Sequence, residues 1–167
     1  VGLPLAALVT GAIAYVIGTP LLRLRGVYFV LITFALNELF RLVMLEFPSV
    51  SGGSSGIAGI PKISLFGLVL RDQQSVYVFT LAMLALVMAL LWSIRRGPLG
   101  RRFAAVEENF ELAEASGIPT ARTQNTAFVI GSAIAGFTGA IMAHYIGFIS
   151  PESFGFQLSV SYVIILV

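Results

Sequence analysis

The 167-residue chain contains no cysteine, which excludes disulfides and thiolate metal sites. It has one histidine, His144, and one aspartate, Asp72. No acid stands at metal-ligand spacing from His144, so the ring is expected to be a satisfied histidine at a membrane interface. No Ser-His-Asp arrangement can be argued either, and catalysis is not expected. Charge is scarce: 11% of residues are Asp, Glu, Lys or Arg, against about a quarter in a soluble domain. No G-x-x-x-x-G-K-S/T can be written through the chain, so ATP-driven work would require a separate nucleotide-binding subunit. The chain begins and ends inside apolar runs, without an initiator Met, and is read as a fragment of a longer polytopic protein.

What is abundant is hydrocarbon. The apolar fraction is 57% and mean hydropathy is +0.95, the composition of an integral membrane protein. The net charge of +2 is read as basic residues held at one membrane face, not as a nucleic-acid signal. A helix needs about 20 apolar residues to cross the bilayer. The stretches 2–22, 27–45, 76–94 and 127–148 qualify, and a fifth, 158–167, starts near Leu158 and is cut off. The expected fold is all-α: one transmembrane domain, a polytopic helical bundle incomplete at both ends. Barrel strands would be about ten residues long with alternating polarity.

Basic residues orient the spans. With Arg23, Arg25, Arg95, Arg96, Arg101, Arg102 and Arg122 placed in the cytoplasm, only Lys62 and Arg71 lie outside, while Arg41 lies within a span. The alternation of spans agrees with that assignment, which makes 95–125 a cytoplasmic loop and 46–75 an external one. In the external loop, Ser51–Pro61 (SGGSSGIAGIP) is rich in residues that permit tight turns. Ile63–Leu70 is apolar but too short to span, and a hairpin or interfacial segment is expected. Ser150-Pro151-Glu152 has the order of a helix start.

The fourth span carries small residues at Gly131, Ala135, Gly139 and Ala143, with a second row at Ser132, Gly136 and Ala140. Such rows let helix backbones approach closely, although membrane helices are enriched in Gly and Ala generally. The second span holds Asn37, Glu38 and Arg41, and the last two are neighbours on a helix surface. Glu38 lies about 10 Å of rise from the end of that span. Two readings stand open: a translocation path or gate, or an ion pair that fixes helix register with Arg41 reaching toward the interface.

The most polar stretch is Arg95–Arg122. Gly97-Pro98 should break the preceding helix, and a new helix is predicted over Arg101–Ser116. Gly117 suits its C-terminal cap, with Pro119 as a stop. Phe103, Val106, Phe110 and Ala113 form an apolar stripe. Glu107, Glu111 and Glu114 would share one face, with Glu108 beside them and no cation at the spacings that relieve like charge. Arg101 and Arg102 sit at the end the helix dipole disfavours. A basic partner surface would justify this arrangement; a solvated acidic face is the alternative.

At this point the residues resemble a known family. RRGPLGRRFAAVEENFELAEASGI (95–118) is similar to the cytoplasmic loop of branched-chain amino acid ABC transporter permeases, and so are 26–43, 51–61 and 127–160, in order. The resemblance implies one half of a two-permease core in the cell (inner) membrane. It implies as partners ATPase subunits carrying ATP and Mg, a second homologous permease and an external substrate-binding protein. No cofactor is implied on this chain. Glu108, Asn109, Ala113, Glu114, Ala115 and Gly117 match the family's ATPase-coupling motif, whereas Glu107, Phe110, Glu111 and Ser116 depart from it. The function implied is import of branched-chain amino acids by alternating access. A urea or short-amide permease is the alternative within the family, and a proton-coupled carrier using Glu38 is the alternative outside it.

Overall fold

A computed structural model describes residues 2–22, 24, 27–61, 64, 65, 68, 69 and 73–150. Four long helices dominate: α1 (Gly2–Leu21), α2 (Val27–Glu46), α4 (Gln73–Arg96) and α7 (Thr120–Ile146). Among the described residues these four are long and apolar enough to cross a membrane. Short elements connect them: α3 (Pro48–Ser51), β1 (Ile57–Ala58), β2 (Ser64–Leu65), β3 (Leu68–Val69), α5 (Pro98–Glu108), α6 (Phe110–Ala115) and β4 (Phe148–Ile149). The four expected spans are helical, except that the fourth, expected over 127–148, stops at Ile146, and Phe148 is in β4. The last begins at Thr120, before the apolar run opens at Ala127, because Pro119 supplies the carbonyl that accepts from the Thr123 N–H at 3.0 Å and so starts the first turn. The fifth expected span lies outside the described residues, as do Pro151, Glu152, Arg23, Arg25, Lys62 and Arg71.

The chain divides into two compact units interleaved in sequence, Val1–Arg23 with Ser64–Ile141, and Leu24–Ile63 with Met142–Val167. In the first, α1 buries Gly11, Ala14, Gly18 and Leu21, a spacing of three and four residues that lies along one helix face. That face meets α7. A Cβ on Gly11 would stand 3.5 Å from the Cβ of Ala133, and one on Gly136 would run into the Thr10 side chain. The amide of Asn125 donates to Thr19 Oγ1 at 3.3 Å across the same contact. The close approach therefore uses Gly136, from the second small row. Gly131, Ala135 and Gly139 are exposed, with nothing within 4 Å of a Cβ built on Gly131 or Gly139. Neighbouring rows on a helix face different directions, and α1 takes only one of them. The β2–β3 hairpin pairs Ser64 with Val69 and Leu65 with Leu68, which gives the hairpin expected within 63–70.

The second unit folds the glycine-rich stretch onto the last turn of α7. Ser51 is buried; its hydroxyl donates to the carbonyl oxygens of Met44 and Phe47 and accepts from the Gly53 N–H at 3.2 Å. This ties α2, α3 and the 3-10 turn Gly53–Ser55 into one corner. β1 then pairs antiparallel with β4, Ile57 opposite Ile149 and Ala58 opposite Phe148. Gly56 makes that pairing possible: its φ is +67°, and a Cβ there would collide with the Ile149 backbone. The Ile60 N–H donates to Gly147 O at 3.3 Å, and His144 Nδ1 lies 2.7 Å from Pro61 O, to which it donates. The lone histidine is thus a structural clasp.

Candidate functional site

The polar stretch between α4 and α7 is an elbow built from local bonds. α4 ends at Arg96, and the Gly97 N–H closes it by donating to Ser93 O and Ile94 O, both at 3.1 Å. Gly97 is extended, with ψ at 178°, the conformation favoured before proline. Pro98 then occupies the first turn of α5, where its missing N–H is no loss. The chain turns so sharply that a Cβ on Gly100 would collide with the Arg95 backbone, so α5 is fixed against the end of α4. The Arg96 guanidinium lies 3.8 Å from the centroid of the Trp92 ring, a cation–π contact at the helix end.

Two helices stand where a single one was predicted over Arg101–Ser116. The helix starts at Pro98 and breaks at Asn109, which is extended at φ −155° and ψ 109°. Asn109 closes α5 through its N–H, which donates to Ala105 O at 3.2 Å. It opens α6 by accepting the Leu112 N–H on its Oδ1 at 3.0 Å, the N-cap bond that Asn makes well. α6 ends in a Schellman cap: the Gly117 N–H donates to Glu114 O and the Ile118 N–H to Ala113 O, both at 3.0 Å, with Gly117 at φ +81°. The Ser116 hydroxyl also donates to Leu112 O at 2.8 Å.

The apolar stripe survives the break. Phe103, Val106 and Phe110 are half-buried and Ala113 is buried. The acidic face does not remain one face of one helix. Glu107 and Glu108 close α5, whereas Glu111 and Glu114 ride on α6, and all four are exposed. The break changes their electrostatics. Glu111 moves from mid-helix to a first turn, where the helix dipole favours it, while Glu107 and Glu108 sit at a C-terminal end that does not. Part of the acid cluster is thereby accounted for locally: Glu111 by its first-turn position, and Glu107 by sharing a groove lining with Arg95 and Arg101. Of the coupling residues expected, Asn109, Ala113, Glu114, Ala115 and Gly117 fall on the α6 side of the elbow and Glu108 on the α5 side. Sequence reasoning missed Asn109 as a joint and Gly100 as a contact. An N-cap residue type inside a helical pattern was the available signal for the first.

The intramembrane polar residues lie on α2. Arg41 donates to Glu38 Oε1 through Nε at 3.0 Å and through Nη2 at 2.5 Å, so the two form an ion pair one turn apart. Asn37 is half-buried beside them. Among the described residues no group of three or more His, Asp or Glu is gathered as a metal site would require.

Four apolar helices of spanning length among the described residues define a multi-pass membrane protein. The family described as branched-chain amino acid transport system / permease component matches residues 1–167, and the chain belongs to that family. It is 35% identical to the high-affinity branched-chain amino acid transport system permease protein LivM of Salmonella typhimurium, over 94% of this chain and 42% of that protein. Identity to LivM of Escherichia coli is 34% over the same shares. The autoinducer 2 import system permease protein LsrC of Enterobacter sp. is 33% identical over 60% of this chain and 29% of its own length. The chain thus spans less than half the length of the curated relatives it matches. No solved structure matches it significantly.

Proposed function

We propose that the chain is part of the membrane-spanning permease of an ATP-driven importer for branched-chain amino acids in the inner membrane, with 95–125 in the cytoplasm. The family and its LivM relatives support the substrate class, and one observation carries the coupling role: an exposed, acid-bearing elbow is capped at Asn109 and Gly117 and locked by the Gly100–Arg95 contact to the end of a spanning helix. A rigid lever of this kind transmits the motion of a docked subunit into α4 and α7. An ATPase subunit with a basic groove would seat α5 and α6, its cations meeting Glu108 and Glu114. A second permease and an external binding protein complete the assembly, and ATP and Mg stay on the ATPases. Asn37, Glu38 and Arg41 hold the register of α2 in the bundle. A proton-coupled carrier using Glu38 is disfavoured by the two hydrogen bonds that tie its carboxylate to Arg41.

Membrane vesicles carrying the full system, supplied with ATP and a binding protein, test the substrate. Uptake of labelled leucine, dependent on ATP and insensitive to a protonophore, is expected. Uptake of labelled urea without leucine would move the assignment to short amides, and collapse with the protonophore would replace it by a proton-coupled carrier.

A further inference from the structure

A groove of about 580 Å³ lies between α4, α5 and α7, entirely within the first compact unit. Its apolar lining comes from Leu91 and Ile94 on α4 and from Ile130 and Ile134 on α7. Its polar lining is Arg95, Arg101 and Glu107. Chain order sets the direction of this polarity. Arg95 is in the last turn of α4 and Leu91 one turn deeper in the span, while Ile134 lies one turn deeper than Ile130 from the polar start of α7. One end of the groove therefore carries two guanidiniums and one carboxylate, a net positive charge, and the other is hydrocarbon, along the axis of the spanning helices. Arg95 and Arg101 are exposed and have no carboxylate within ion-pair distance among the described residues. Trp92, also exposed and stacked under Arg96, marks the headgroup level, where Trp is enriched in membrane proteins.

We propose that this groove binds an anionic phospholipid, with its phosphate between Arg95 and Arg101 and an acyl chain along Ile94, Ile130 and Ile134. Charge complementarity selects this occupant. An apolar helix would fill the hydrocarbon end and leave two guanidiniums and one carboxylate, Glu107, with a net positive charge unmet, whereas an acidic peptide would meet that charge and not the hydrocarbon. A phospholipid presents both an anionic headgroup and an acyl chain, and basic pockets between membrane helices take such headgroups. Gly131 lines the groove with nothing within 4 Å of a Cβ built on it, so the space remains open for a chain to enter. A lipid seated here would wedge the elbow against α7 and make its stiffness depend on membrane composition.

Native mass spectrometry of the full-length protein, after exchange into phosphatidylglycerol or phosphatidylcholine, tests the proposal. Wild type should retain phosphatidylglycerol in preference to phosphatidylcholine. Arg95→Gln with Arg101→Gln should lower that retention about thirtyfold, the contribution of two arginines near an anionic surface. Gly131→Leu should block retention of either lipid by filling the groove. Arg102→Gln, an exposed residue that does not line the groove, should leave binding unchanged. Equal retention of the two lipids, or retention that survives Gly131→Leu, overturns the proposal. A Gly131→Cys thiol in a cysteine-free background should be alkylated in lipid-free detergent and protected by added phosphatidylglycerol. Protection without lipid would show another protein segment in the groove and overturn it equally.

Discussion

The two ends of α7 are held in opposite ways. The end at Thr120 is approached through the elbow, where each bond joins residues within five positions of one another: Asn109 to Leu112, Gly117 to Glu114, Ile118 to Ala113, Thr123 to Pro119. The end at Ile146 is held by a segment far away in sequence, through Ile57 with Ile149, Ile60 with Gly147 and Pro61 with His144. A local cap forms as soon as its own few residues are in place, whatever the rest of the molecule does. A long-range clasp forms only once the spans have brought its halves together, and loop closure must be offset by the contacts made. One end is therefore suited to act as a stiff lever, and the other is a closure that depends on the fold of its unit.

The largest test of this contrast is Gly56→Val. It places a branched side chain at φ +67° against the Ile149 backbone, at a cost of about 3 kcal/mol. The β1–β4 pairing should open, and limited proteolysis near 57–61 should accelerate while the elbow keeps its amide protection. Loss of protection at Leu112 as well would show that the two ends are not independently held. Asn109→Ala attacks the other end by removing the N-cap of α6, worth about 1 kcal/mol. The Leu112 amide should exchange about fivefold faster, with Ile60 unchanged. His144→Ala should have the smallest effect. Loss of one exposed hydrogen bond, about 0.5 kcal/mol, should speed exchange at Ile60 about twofold. A larger change there would make the histidine more than a clasp.

The same contrast explains what could be read from the amino-acid order. The four spans were legible because hydrocarbon demands length and apolarity and little else. Gly97-Pro98, Gly117 and Pro119 were legible because caps are local chemistry. The break at Asn109 was hidden because Phe103, Val106, Phe110 and Ala113 keep a helical period across it, and the apolar stripe outweighed the N-cap signal. The partner of His144 and the collision at Gly56 depend on residues about ninety positions away, which no local pattern encodes. The same is true of the α1–α7 contact. Both small rows of α7 satisfied the packing rule, and only the surface offered by α1 selected Gly136 over Gly131 and Gly139.

The direct test of the central claim is whether the elbow holds an ATPase through its acids. Glu108→Lys with Glu114→Lys reverses two exposed charges and leaves every cap bond of α5 and α6 in place. The full-length variant should insert in the membrane at wild-type level and lose co-purification of the ATPase subunits, with ATP-driven leucine uptake falling in step. Co-purification at wild-type yield would contradict the account.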